Sequence, residues 1–203
     1  MRDLHQALDD IAEIRSRIAA GSMFRGLGPL TIAGTGVLAL ALGAAQTVWP
    51  AALASDPTRY LLVWIAAALL AGVAVAIEMV DRSRRHHGAM ATAMILRVIE
   101  QFLPAAAAGF AASVALLRYA PDSLWLVPGL WQLFMAVGVF ASVRLLPWGL
   151  SFVAAWYFLA GATVLIAASE TRDLAPWMMA APFAVGQLGM GLALHLANRR
   201  ADD

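Results

Sequence analysis

The chain has 203 residues, of which 62% are hydrophobic and 13% are charged, whereas in soluble domains about 45–50% of residues are apolar and about 25% are charged. Its formal net charge is +1 and all 14 basic residues are arginines, so charge suggests neither direct nucleic-acid binding nor an acidic substrate. Cysteine is absent, which excludes disulfides, thiolate metal sites and cysteine nucleophiles.

The first 28 residues are polar and contain the pattern of an amphipathic helix. Apolar side chains recur at steps of three and four residues, which places them on one helix face. We call this face the N-terminal stripe, and it consists of Leu4, Leu8, Ile11, Ile14 and Ile18. The opposite face mixes acidic and basic residues, whereas helices that lie on a membrane favour a cationic face. Residues 1–28 are therefore predicted to be a cytoplasmic amphipathic helix and linker whose stripe binds a soluble protein or a second copy, with the membrane surface as the alternative.

Six apolar segments follow, each close to the roughly 20 residues that cross about 30 Å of hydrocarbon as a helix. They are residues 30–48, 61–79, 97–117, 124–143, 148–168 and 176–197. The pattern predicts an all-α polytopic membrane protein with a six-helix transmembrane domain over residues 29–198 and a cytoplasmic tail at 199–203. Pro29, Pro104 and Pro147 are expected to begin three successive hairpins.

The distribution of arginine predicts the orientation of these spans. Eleven of the 14 arginines lie on one side of the six segments, and three, Arg59, Arg118 and Arg172, lie on the other. Short cytoplasmic loops carry an excess of Lys and Arg, so both termini are expected in the cytoplasm. Aromatic residues at the outer ends of the spans, including Tyr60, agree, because Trp and Tyr favour the headgroup level.

Three charged residues stand inside or at the edge of the second and third spans, where an ionised group is costly unless it is paired or hydrated. Arg97 and Glu100 share a helix face, and Glu78 is expected at the same depth on the preceding helix. We predict that they form a Glu–Arg–Glu cluster that locks the two spans together. A proton- or ion-handling gate is the alternative, and it is disfavoured because no carboxylate lies centrally in any span.

Two spans begin with a proline that is followed four or five residues later by a glutamine, as in Pro128 with Gln132 and Pro182 with Gln187. Each proline frees a backbone carbonyl one turn earlier, and a nearby polar group or water can satisfy it. The favoured interpretation is a kink near the start of each helix. The alternative is a polar cavity near mid-membrane, lined by Gln132 and Gln187.

The chain resembles an uncharacterised family of small six-helix bacterial inner-membrane proteins that we associate with winged-helix transcription regulators encoded alongside. The resemblance rests on the stretches FRGLGPLTIAGTGVLAL, LWQLFMAVGVFASVRLLP and PFAVGQLGMGLAL. It implies a multi-pass protein of the bacterial inner (plasma) membrane and a cytoplasmic regulator as partner. These stretches contain no chemical motif, so the resemblance transfers no site residue.

No catalytic, metal-binding or nucleotide-binding pattern emerges from the residues, so we expect a non-enzymatic protein without a cofactor. The expected function is an inner-membrane sensor or scaffold that engages a soluble cytoplasmic partner through its N-terminal helix. The alternative is a small permease or channel whose polar path runs near Gln132 and Gln187.

Overall fold

The apolar segments form helices in the computed structural model, which describes residues 26–87, 91–143 and 146–202. Within these ranges the chain forms seven α-helices and one 3-10 helix, and no strand. The α-helices are α1 (Pro29–Val48), α2 (Pro50–Leu53), α3 (Pro57–His87), α4 (Ala91–Tyr119), α5 (Val127–Ser142), α6 (Leu150–Thr171) and α7 (Trp177–Asp202), and the 3-10 helix Pro121–Leu126 leads directly into α5. The N-terminal stripe lies outside the described residues.

Six helices are long and apolar enough to cross a membrane, the fourth being the 3-10 helix continued by α5 over Pro121–Ser142. They coincide with the six predicted segments, so the prediction of an all-helical, multi-pass membrane protein is confirmed. These apolar segments form helices because hydrocarbon offers no hydrogen-bond partners, and in a helix the backbone N–H and C=O groups bond to each other. With 31 residues in α3 and 29 in α4, both exceed the roughly 20 residues that hydrocarbon requires and extend beyond it.

The helix termini follow from local sequence. Pro29 and Pro57 are the first residues of α1 and α3, where the missing N–H of proline has no helical partner to lose. Asp56 caps α3, because its Oδ1 accepts a hydrogen bond from the Arg59 N–H at 2.9 Å. This bond, supported by one from the Ser55 hydroxyl, holds the pKa of the Asp56 carboxyl below its ordinary value. At the end of α6, Arg172 adopts the left-handed conformation with φ 56°.

The six long helices form a ring in the order α1, α3, α4, α5, α6, α7, and α7 returns to α1. Their contacts show antiparallel neighbours, so the start of α1 and the end of α7 lie at one end of the ring, which we call the terminal end; the other is the far end. The closest packing joins α1 to α7 and α5 to α6, while α3 has few contacts with α1. The predicted grouping into three successive hairpins is therefore not confirmed.

Small residues allow the close approaches between helices. A side chain at Gly43 on α1 would overlap Ala180 on α7. Between α5 and α6, a Cβ at Gly129 would lie 2.9 Å from the Gly161 carbonyl oxygen, and the reverse distance is the same. Such faces give helices in lipid the van der Waals contact that holds a bundle together.

Three details differ from the sequence expectations. Pro104 lies inside α4 instead of beginning a hairpin, since the helix-forming residues before it extend the helix to Ala91 and a bundle tolerates proline within a span. Tyr60 is 1% exposed and donates its hydroxyl proton to the Ala175 carbonyl at 3.0 Å, so it ties α3 to the segment before α7 and does not face lipid headgroups. At the C-terminus, α7 continues through Arg199, so the expected tail is largely helical.

Candidate functional site

A cavity of about 640 Å³ lies inside the ring, within the roughly 300–1,000 Å³ typical of small-molecule sites. Side chains of α1, α3, α4, α5 and α7 line it, and α6 lies behind α5 and α7. The α3 wall includes Ala67, Ala68, Ala71 and Gly72. A Cβ at Gly72 would have no neighbour within 4 Å, so the space exists because this face of α3 is narrow and unfilled.

The cavity wall is almost wholly apolar. Among the described residues, no charged side chain lines it. Of its polar residues, Thr35 and Ser142 donate their hydroxyl protons to carbonyl oxygens of their own helices, those of Ile32 at 2.7 Å and Gly138 at 2.9 Å. These hydroxyls are therefore already hydrogen-bonded, which leaves the wall around them effectively apolar.

Two tryptophans line the cavity toward the far end, and their polar edges point elsewhere. The Trp64 indole N–H donates to Gln46 Oε1 at 2.9 Å, and the Trp131 N–H donates to the Ser113 hydroxyl at 2.7 Å. Gln46 is 1% exposed, and its Nε2 donates onward to the Leu53 carbonyl at 3.3 Å. Both indoles therefore present hydrocarbon to the cavity and use their N–H groups to join neighbouring helices.

Gln187 is the exception among the polar residues of the wall. Its Oε1 is buried and has no hydrogen-bond partner. Next to it in the chain, Gly186 leaves space that the Tyr157 ring occupies, and the buried Tyr157 hydroxyl also lacks a partner. Gln187 is ten residues into α7, or about 15 Å from its start at 1.5 Å per residue, so the unpaired amide lies near mid-membrane.

Gln132, the second predicted cavity residue, has a different role. It is fully buried, and its Nε2 donates to the Met178 carbonyl at 2.7 Å. Met178 lies four residues before Pro182, so its carbonyl is the one that Pro182 leaves without a helical donor. The structure therefore places Gln132 outside the cavity wall, at the α7 kink, and Gln187 in the wall.

The structure does not bring Glu78, Arg97 and Glu100 together as an ion-paired cluster. Arg97 and Glu100 are exposed, and the ion pair found among the described residues joins Asp81 to Arg85 within α3. The Glu78 carboxylate instead occupies the space where a side chain at Gly28 would lie. That position is the N-terminus of α1, where the partial positive charge favours a carboxylate. Glu78 thus contacts the start of α1, although its buried Oε2 accepts no hydrogen bond there, and no ion pair joins it to Arg97 of α4 among the described residues.

Sequence reasoning missed Gln46 and its bond to Trp64. The signal was a lone glutamine inside an otherwise apolar span, since a buried amide needs a hydrogen-bond partner. Gln46 lies three residues before the turn at residues 49–56 and Trp64 lies eight residues after it, so distance along the chain did not indicate which residue would be that partner.

The geometry amounts to one apolar chamber with one unpaired amide, and it holds no cluster of catalytic side chains among the described residues. The predicted partner-binding stripe, Leu4 to Ile18, lies outside those residues. Comparison of the chain with protein-family models, with curated proteins and with solved structures finds no match.

Proposed function

We propose that this protein is a non-enzymatic membrane sensor or scaffold whose helical ring binds an apolar molecule in the central cavity. The observation that carries the proposal is the cavity of about 640 Å³ with no charged side chain among its described lining residues. An enzyme site needs groups that react or polarise, and a path for polar solutes needs groups that replace water. An apolar chamber supplies neither, and it suits a ligand that is itself largely hydrocarbon.

The permease alternative has no observation in its favour. Its path was expected near Gln132 and Gln187, but the Gln132 amide is engaged with the Met178 carbonyl. One glutamine in an apolar wall offers too few polar groups to carry an ion or a sugar across the membrane. We therefore keep the sensor as the proposed function.

Cavity binding is tested with two glycines that differ in position. Side chains at Gly72 and at Gly34 would both meet open space within 4 Å, but only Gly72 lines the cavity. The probe is farnesyl methyl ether, an uncharged isoprenoid, and one-to-one complexes are measured by native mass spectrometry in mild detergent. Wild type and Gly34→Leu should bind it, and Gly72→Leu should lose at least tenfold in affinity because the added side chain fills the space. Equal binding by Gly72→Leu, or none by wild type, would contradict the proposal.

The proposal also includes an inner-membrane location with both termini in the cytoplasm, supported by the excess of arginine on the terminal side. Reporter fusions test it. Fusions after Ala20, Arg85, Arg144 and Arg200 should report cytoplasm, and fusions at Asp56, Asp122 and Asp173 should report the outer side. The inverted pattern would remove the basis for a cytoplasmic partner.

The output of the sensor is proposed to be a soluble cytoplasmic protein, such as the regulator implied by the family resemblance, bound by the N-terminal stripe. Replacing Ile11 and Ile14 with aspartate removes about 1.5–3 kcal/mol of apolar burial at each position and adds charge. A co-purifying partner, or self-association, should then be lost while the bundle keeps its melting temperature. Deletion of residues 2–20 should have the same effect, and unfolding of the bundle by that deletion would show a structural segment instead.

A further inference from the structure

We infer that the cavity recognises an uncharged, largely hydrocarbon molecule that carries one hydroxyl group, and that Gln187 binds this hydroxyl. The inference rests on the proposed cavity binding and names the ligand class. It starts from the hydrogen bonds of the wall. Thr35, Ser142, Trp64 and Trp131 have all donated their protons to protein acceptors. Gln187 Oε1 alone among these polar wall residues is buried without a partner.

Buried polar groups in native structures are nearly always hydrogen-bonded, and among the unpaired buried acceptors of the described residues, Gln187 Oε1 is the one that borders the cavity. The buried Tyr157 hydroxyl lies next to the Gln187 amide but forms no hydrogen bond with it, and the chamber beside the amide has room for a ligand hydroxyl. A primary amide both accepts and donates, which matches a hydroxyl group, since a hydroxyl does the same. The geometry therefore favours an alcohol over a pure hydrocarbon.

The same wall disfavours a charged ligand. No described lining residue carries a charge that could neutralise a carboxylate, a phosphate or an ammonium group. An isolated ion near mid-membrane is costly without such a partner. A single neutral polar group is what one glutamine can satisfy.

Packing fixes the place of Gln187 in the chamber. A Cβ at Gly36 on α1 would lie 3.1 Å from Gln187 Cβ, so the two helices meet there. On the other side, the Tyr157 ring fills the space beside Gly186. The base of the Gln187 side chain therefore lies against α1, and its amide borders the cavity. This arrangement presents one polar group at a fixed depth.

The test compares farnesol with farnesyl methyl ether, which has the same hydrocarbon skeleton but no hydroxyl proton to donate. Affinities are measured in detergent for wild type and for two variants, Gln187→Met and Gln132→Met. Methionine keeps the length of the side chain and removes the amide. Gln132 is the matched control, because it is a buried glutamine of the neighbouring helix α5 that does not line the cavity.

Wild type should bind farnesol about three- to tenfold more tightly than the ether, the size of one buried hydrogen bond. Gln187→Met should bind the two probes equally, because it has no amide oxygen to accept the hydroxyl proton of farnesol. Gln132→Met should retain the preference for farnesol even if its melting temperature falls.

The outcomes separate the two proposals. Equal binding of both probes by wild type, or a preference that persists in Gln187→Met, overturns the hydroxyl site and leaves cavity binding in place. Binding of neither probe by wild type overturns both. If Gln187→Met does not fold, Gln187→Leu replaces it and should likewise bind the two probes equally, and a preference for farnesol in that variant overturns the hydroxyl site.

Discussion

Helices α1 and α7 meet at glycines, whereas α3, which also has a face of small residues, stands apart from its neighbours. A Cβ at Gly191 on α7 would lie 2.7 Å from the Pro29 carbonyl oxygen, and one at Gly36 would lie 3.0 Å from the Ala184 carbonyl oxygen. At Gly72 on α3 the same atom would meet nothing within 4 Å. Small residues permit close packing in lipid, but they produce it only where the facing helix has a complementary surface.

The difference explains where the cavity forms. The α1/α7 and α5/α6 pairs pack most closely and α4 packs against α5, whereas α3 completes the ring with a looser contact to α1. The narrow face of α3 then leaves a space that no described side chain fills. The tight pairs act as a scaffold, and the loose wall accounts for the space that a ligand can occupy.

The largest effect is expected from a substitution at the close contact between α1 and α7. Gly43→Val places a side chain on Ala180 of α7, so the helices must separate, and overpacking of this kind costs about 1–3 kcal/mol. Gly72→Val is the matched control, with the same change in helix propensity but open space. Thermal unfolding in detergent should show a clearly lower melting temperature for Gly43→Val and little change for Gly72→Val. Similar losses in both would mean that the two halves are packed alike.

The next effect concerns the kink in α7. Gln132→Met removes the donor to the Met178 carbonyl and leaves that buried acceptor unpaired, at a cost of about 1–2 kcal/mol. Pro182→Ala should restore the helical N–H that satisfies the same carbonyl. In a double-mutant cycle, Gln132→Met should therefore cost less in the Pro182→Ala background. Additive free energies of unfolding would show that Gln132 does not serve the kink.

Two side-chain hydrogen bonds hold α3 in place at the far end of the ring. Tyr60 donates to the Ala175 carbonyl and Trp64 to the Gln46 side chain. Replacing both with phenylalanine removes two hydrogen bonds, each worth about 0.5–1.5 kcal/mol. Hydrogen exchange should accelerate in α3 and remain unchanged in α6 and α7, because the scaffold does not depend on these ties. Uniform acceleration would mean that α3 unfolds together with the rest of the bundle.

The sequence predicted the six spans because hydropathy and span length are local properties. It also indicated that the proline kinks need polar partners, but not that Gln132 serves Pro182 on another helix, because that pairing depends on how α5 packs against α7. The cavity was not predictable in its apolar form. Gly43 and Gly72 are the same residue in similar apolar surroundings, and only the facing helix decides whether the space beside them is filled.

The surroundings of the charged residue Glu78 could also not be predicted from the sequence. Its depth in the membrane was readable from its position in the span, and a charged group at that depth needs compensation. The sequence suggested Arg97 as the partner because arginine is the obvious counter-charge. The structure instead puts the carboxylate against Gly28, where the first turn of α1 supplies partial positive charge. The partial charge at a helix end comes from the backbone and not from particular residue types, so the sequence did not indicate that Glu78 would lie at the start of α1.

The smallest effect is expected at the exposed start of α3, where Asp56 caps the helix. The Arg59 backbone N–H and the Ser55 hydroxyl bond to the Asp56 carboxylate and lower its pKa from the ordinary 3.8. Because the folded-state pKa is depressed, the carboxylate stabilises the fold above pH 3.8, and this contribution is lost as the pH falls through the lowered pKa. Asp56→Ala should therefore lower the melting temperature slightly at pH 7 and have a smaller effect at a pH low enough to protonate the wild-type carboxyl as well. Asp56→Asn keeps an acceptor for the Arg59 N–H, so its melting temperature at pH 7 should lie between those of wild type and Asp56→Ala. A loss that is the same at both pH values would show that the charge of Asp56 contributes nothing and that the α3 cap acts through side-chain shape alone.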